Sequence, residues 1–203
     1  RDNRFHMQEI ITDRLVIRQF SEDDAASLFG YISNPRANCF LIDKVNTLAE
    51  AEAEAKRRAK DGSCVAVCLK DTGTLIGDLF FHKEEEHGTQ TEQADTYSVG
   101  WNFNGAFEGK GYARESARAL FDYLFAQQGA RRLYAYVEDN NFRSQKLCEK
   151  LGMRKEGCFV EFISFVNNAD GTPEYENTFQ YAILKKEWPP KGDSKNILTS
   201  CCH

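Results

Sequence analysis

No run of apolar residues in this chain approaches the ~20 that a membrane-spanning helix needs. No secretory apolar core stands near its N-terminus, so a cytoplasmic protein is expected. A basic face is missing: 26 Lys and Arg stand against 31 Asp and Glu, a net charge of −5. General affinity for nucleic acid, which rests on such a face, is therefore not expected. The same charge mildly favours a cationic substrate, although acidity serves solubility alone in many cytosolic proteins. The seven cysteines form no framework. Cys64 and Cys68 share one face of a strand, and Cys148 lies between Leu147 and Leu151, so these three read as core, with their thiols reduced. The tail Cys201-Cys202-His203 is too short to bind zinc by itself, and no metal is expected. Ser-His-Asp and Cys-His-Asn constellations are lacking, and direct group transfer requires neither. Internal repeats and linkers are absent as well. One domain is expected over residues 7–190, with residues 1–6 ahead of Met7 read as vector-derived and residues 191–203 as a polar tail.

What is present is an ordered alternation of strands and helices. Leu15 to Phe20 reads as a strand, and Ser21 caps a helix whose first turn carries Glu22, Asp23 and Asp24. Thr47-Leu48-Ala49-Glu50 is a capping box opening a helix to about Lys60. Cys64–Leu69 and Thr74–Phe81 are strands around Asp71-Thr72-Gly73. Lys83 to Ala94 is polar and is expected to be a mobile loop. Tyr97–Asn104 is a strand, followed by a helix with Ala113, Ala117, Leu120, Phe121 and Leu124 on one face. Arg132–Val137 is a strand, and Asn141–Leu151 a helix ended by Gly152. Phe159–Phe165 and Tyr175–Leu184 form a closing antiparallel pair. The expected class is α/β, a mixed and mostly antiparallel sheet with helices on both faces.

The chemistry concentrates where the strand ending at Asn104 meets its helix, through Gly109-Lys110-Gly111-Tyr112-Ala113-Arg114. Glycines there allow a tight turn, and the helix start offers N–H groups with no intrahelical partner, a seat for a phosphate. An ATP-type loop needs four residues between its first Gly and the Gly-Lys pair, then Ser or Thr. Here three residues separate Gly105 from Gly109-Lys110, and Gly111 follows. The dinucleotide fingerprint needs a third Gly where Arg114 stands. The coenzyme A loop Q/R-x-x-G-x-G/A fits Gly111 and Ala113 and departs at Glu108. A plain glycine turn joining strand to helix is the bland alternative.

Four blocks in order decide between these. Thr12-Asp13-Arg14-Leu15-Val16-Ile17-Arg18, Gly100-Trp101 with Gly109 to Ala113, Asn141-Phe142-Arg143-Ser144 with Glu149 to Met153, and Tyr181 to Trp188 together resemble the GNAT superfamily of N-acetyltransferases. The closest resemblance is to its ribosomal-protein-alanine acetyltransferase-like branch. That resemblance implies the GNAT fold, acetyl-CoA as co-substrate, and an amine acceptor, either a small molecule or a peptide N-terminus. It implies that Trp101, Asn102 and Phe103 run beside the pantetheine. The backbone of Gly109, Lys110, Gly111, Tyr112 and Ala113, with the Arg114 guanidinium, would then hold the pyrophosphate. Asn141 matches the pantetheine-contacting Asn, and Ser144 the hydroxyl near the sulfur; either also suits a helix cap.

The base is less evident. Many relatives carry Glu just ahead of the Gly-Trp pair, where this chain reads Tyr97-Ser98-Val99-Gly100. Glu161 matches a late-strand carboxylate of the branch and is the first candidate, as base through water or as substrate anchor. His82 is the second, because its ordinary pKa suits proton transfer near neutrality. The helix from Thr47 to Lys60 and the loop from Lys83 to Ala94 are expected to frame the acceptor pocket. A non-catalytic acyl-CoA-binding or regulatory module on the same fold is the alternative. A monomer or homodimer without nucleic-acid or membrane partners is expected.

Overall fold

The computed structural model describes residues 7–84 and 95–190. In chain order its elements are β1 (Ile10–Ile11), β2 (Leu15–Gln19), α1 (Ala25–Ile32), α2 (Leu48–Lys60), β3 (Cys64–Leu69), β4 (Leu75–Lys83), β5 (Thr96–Phe103), α3 (Tyr112–Gln127), β6 (Arg132–Glu138), α4 (Phe142–Lys150), β7 (Arg154–Asn167) and β8 (Pro173–Leu184). The strands form one sheet in the order β1-β2-β3-β4-β5-β6-β8-β7. Every neighbouring pair is antiparallel except β5 with β6. Helices α3 and α4 pack on one face, α1 and α2 on the other. The expected class, a mixed sheet flanked by helices on both faces, is the one observed.

Side-chain alternation makes the two cores. Along β3, Val65 and Val67 join the α3 side, while Cys64, Ala66 and Cys68 join the α1/α2 side. Both faces are covered, so this strand is an unbroken apolar run. Cys64, Cys68 and Cys148 are buried free thiols, as expected. Among the described residues no helix is long and apolar enough to cross a membrane.

Local chemistry sets the helix starts. The Thr47 hydroxyl accepts the Glu50 N–H at 3.2 Å, and the Glu50 carboxylate accepts the Asn46 N–H at 2.9 Å. The reciprocal bond thus lands one residue earlier than a standard capping box. Ser21 caps a single 3₁₀ turn, Glu22–Asp24, before α1 begins.

Strand β7 is longer than the sequence pattern indicates, beginning at Arg154 and not near Phe159. Arg154, Lys155 and Glu156 are exposed on this edge strand, so no hydrophobic alternation marks them. Midway, Phe159 sits opposite Thr178 and Ile163 opposite Glu176, so residues 160–162 bulge against Asn177 alone. Glu161 lies at the bulge with φ +48°, and its N–H donates to Asn177 Oδ1 at 2.9 Å. Most of the Lys83–Ala94 segment, the leading six residues and the Cys201-Cys202-His203 tail lie outside the described residues.

A buried ionic cluster ties α1 and α2 to β4. Asp78 is only 2% exposed; it accepts the Tyr31 hydroxyl at 2.5 Å and Arg58 Nη1 at 3.0 Å. Arg58 Nε donates to Glu54 at 2.7 Å. Burial opposes the Arg58 charge, yet Asp78 holds the guanidinium above its usual range. Burial pushes the Asp78 carboxyl up, against Arg58 and Tyr31, which favour the ionised form. Removing one member strands the other charge. Asp78→Ala is therefore expected to lose about 3–5 kcal/mol of stability, read by denaturant unfolding. Glu161→Gly is expected to gain about 0.5–1 kcal/mol, because glycine relieves the left-handed backbone; the measurement is the same unfolding curve.

Candidate active site

Strands β5 and β6 are paired only at Thr96–Arg132, Tyr97–Leu133 and Ser98–Tyr134. Beyond that they part, β5 staying with β4 as far as Phe103 and β6 with β8 as far as Glu138. Among the described residues the edge of β5 facing this notch has no strand partner, so an extended ligand can pair with it as an added strand. Phe80 lies across Gly100, where a Cβ would come within 2.0 Å of the ring, so only glycine fits there.

Two cavities open into the notch. One, of about 440 Å³, runs along Trp101, Asn102 and Phe103 to the glycine turn, and is lined by Gly109, Gly111, Tyr112, Ala113 and Arg114. Gly109 and Gly111 both have φ +81°, and Gly111 is the N-cap of α3. Arg14 braces the turn: Nη1 donates to the Lys110 carbonyl at 2.9 Å, and Nε to Glu115 at 2.8 Å. Burial would raise the Glu115 carboxyl, but Thr12 and Arg14 hold it below the usual carboxylate range. Five basic side chains line this cavity, Arg36, Arg114, Arg143, Lys146 and Lys150, against the single acid Glu108. Glu108 itself is neutralised by Arg36 at 2.9 Å and Arg143 at 3.6 Å. The groove therefore keeps its cationic character and suits a polyanion.

The second cavity, about 530 Å³, lies on the other side of the notch. Its wall includes Phe40, Phe80, Tyr136 and Phe162, with Asp78 and Arg58 among the residues lining it. Trp101, Asn102, Asn141 and Ser144 line both cavities. At this junction Trp101 Nε1 donates to Ser144 Oγ at 3.1 Å, spanning from β5 to α4. Asn141 caps α4 by accepting the Ser144 N–H at 3.2 Å. Because Ser144 Oγ accepts the indole N–H, its own proton stays available to another acceptor.

Residues 14–154 match the family model of the acetyltransferase (GNAT) domain. The chain belongs to the GNAT acetyltransferase family. It is 33% identical over 181 residues to the uncharacterized N-acetyltransferase YnaD of Bacillus subtilis, covering 88% of this chain and 98% of that one. A GNAT-family acetyltransferase of Bacillus anthracis has the same fold at TM-score 0.74 and 28% identity, covering 89% of this chain and all of the other. The ribosomal-protein-S5-alanine acetyltransferase of Vibrio fischeri shares the fold at TM-score 0.66 and 16% identity, over 91% of this chain and all of the other.

This GNAT domain brings most of the expected site residues together. Trp101, Asn102, Phe103, Gly109, Gly111, Tyr112, Ala113, Arg114, Asn141 and Ser144 all face the cationic groove. Lys110 is exposed and does not line it, although its backbone is part of the turn. His82 lines the second cavity at the end of β4. Glu161 does not: it is exposed on the bulge, and its neighbours Phe162 and Ile163 line the cavity instead. The bulge changes which side chains of β7 face inward, and no sequence pattern marks it. Helix α2 frames the second cavity through Arg57 and Arg58. Sequence reasoning missed Arg36 and the row Arg143, Lys146 and Lys150. That row was detectable, since spacings of three and four put the three on one helix face.

A side chain at φ +81° strains the turn by about 1–2 kcal/mol. With coenzyme A as the probe polyanion, Gly111→Ala is therefore expected to weaken binding to the groove about tenfold by titration calorimetry, with the helical circular dichroism unchanged.

Proposed function

We propose that this chain is an acetyl-CoA-dependent N-acetyltransferase that moves the acetyl group directly to a primary amine in a ternary complex. One observation carries the reading: two cavities, one cationic and one with an aromatic wall, meet at Trp101, Asn102, Asn141 and Ser144. The donor set fits coenzyme A. Left-handed glycines and the start of α3 suit the pyrophosphate, the α4 row with Arg36 suits further phosphate, and the unpaired β5 edge suits the pantetheine amides. A ribosomal-protein-alanine acetyltransferase-like branch fits the sequence blocks, and the free thiols Cys39, Cys64, Cys68, Cys148 and Cys158 suit a cytoplasmic setting.

The chemistry follows from this placement. An ammonium with pKa ~10 is neutral about one part in a thousand at pH 7, which adds ~4 kcal/mol to the barrier. Once neutral, the nitrogen bonds to the thioester carbon, the carbon–sulfur bond breaks, and the amine proton leaves toward solvent or a carboxylate. Ser144, 3.1 Å from the Trp101 indole nitrogen, is the donor proposed for the departing thiolate. Its hydroxyl is then reprotonated from water. His82 is a candidate to relay the amine proton from its place in the second cavity.

A non-catalytic acyl-CoA-binding module is the second reading. It is favoured by the missing carboxylate ahead of Gly100 and by the position of Glu161 outside the cavity. Thiol release from acetyl-CoA over a panel of amines separates the two. Turnover is expected, and Ser144→Ala is expected to lower kcat about 10²-fold while leaving coenzyme A affinity within a few-fold. Coenzyme A binding with no turnover of any amine would sink the enzyme reading.

A further inference from the structure

The acceptor cavity holds an anionic seat. Glu138 closes β6, three residues ahead of the Asn141 cap, and is 6% exposed while lining the cavity. One carboxylate oxygen accepts the Cys39 N–H at 2.8 Å. Among the described residues no basic side chain forms an ion pair with it. The other acids of this wall differ. Asp78 is paired with Arg58, Asp61 accepts the Ser63 N–H and faces Arg57 at 3.6 Å, and Asp43 is exposed to water. A buried carboxylate without a counter-charge is unfavourable, and a cationic ligand relieves it.

A second group converges on the same place. Thr178 on β8 is the ladder partner of Glu138, so both side chains leave the same face of the sheet about 5 Å apart at Cβ. Thr178 is 4% exposed and lines the cavity, and its hydroxyl has no hydrogen-bond partner among the described residues. Glu176, two residues back along β8 and 7% exposed, likewise has one unpartnered carboxylate oxygen. Burial, reinforced by Glu138, Glu174 and Asp139, raises the Glu176 carboxyl against its Asn38 hydrogen bond. Acidic side chains thus gather at this end of the cavity.

The apolar part of the wall is aromatic. Phe40, Phe80, Trp101, Tyr136, Phe162 and Phe165 line it, with the Tyr136 and Phe162 rings 5.8 Å apart and each about half exposed. Peptide groups placed against these rings would leave polar atoms unpaired, and a thin polyamine chain would cover little of their surface. An aryl or bulky alkyl group fills the same space and covers exposed aromatic surface.

We infer that the acceptor is a small primary amine with an aromatic or bulky apolar body, its ammonium held between the Glu138 carboxylate and the Thr178 hydroxyl and its body against Tyr136 and Phe162. This rests on the acetyltransferase reading and names the substrate class for that site.

The test uses the full chain, acetyl-CoA and four acceptors: 2-phenylethylamine, tryptamine, spermidine and a peptide with a free N-terminal alanine. The two arylalkylamines are expected to show kcat/KM at least about tenfold above spermidine and the peptide. Glu138→Gln keeps shape and the Cys39 contact; it is expected to raise KM for 2-phenylethylamine about tenfold or more, with coenzyme A affinity unchanged. Uncharged 2-phenylethanol is expected to inhibit the wild type and Glu138→Gln equally, which isolates the charge. Preference for spermidine or the peptide overturns the inference, as does an unchanged KM in Glu138→Gln. If that variant does not fold, Thr178→Val decides, with KM expected to rise about threefold and an unchanged KM overturning the inference. Silence toward all four acceptors with coenzyme A bound overturns the acetyltransferase reading itself, whereas turnover of spermidine or the peptide alone overturns only the amine class.

Discussion

Everything in the site depends on two parallel strands that stop pairing. After Ser98 and Tyr134, β5 and β6 diverge, each still held by its other neighbour. Backbone groups that a continuous sheet would consume are left facing a notch, inside a molecule otherwise packed on both faces of its sheet. Trp101 reaches from β5 to Ser144 on α4 and fixes the junction where the two cavities meet. Without the divergence there would be one continuous wall and no junction between two cavities.

The two sides of the notch are supported differently. The cationic side rests on backbone geometry, with two left-handed glycines braced by Arg14 through the Lys110 carbonyl. The aromatic side rests on a buried ionic cluster, Asp78 with Arg58 and Tyr31, which ties α1 and α2 to β4. Such a cluster adds little net stability but tolerates no missing partner, so it specifies one arrangement of the cavity wall. Charge then divides the labour: five basic side chains line one cavity, while Glu138 in the other has no ion-pair partner among the described residues.

Glu108, the one irregular residue of the glycine loop, has a physical account. It occupies a position where relatives carry Gln or Arg, yet Arg36 and Arg143 both pair with it. Its charge therefore ties the loop to Arg36, far away in sequence, and to α4. The groove keeps a net positive lining despite the acid.

Local signals in the sequence were enough for the element order from Leu15 onward, the covering of both sheet faces, the glycine turn and the Asn141–Ser144 helix start, but not for the two-residue edge strand Ile10–Ile11. Each depends on short-range physics: alternation along a strand, spacing along a helix, capping oxygens and glycines at positive φ. Family likeness then pointed to the cationic groove. Only the tertiary structure decided the second cavity. A three-residue bulge on β7 turns Phe162 and Ile163 toward the cavity and leaves Glu161 exposed, and strand pairing sets Thr178 beside Glu138. Register and bulges arise from contacts between distant segments, so no local pattern carries them, and the second cavity is built from those contacts.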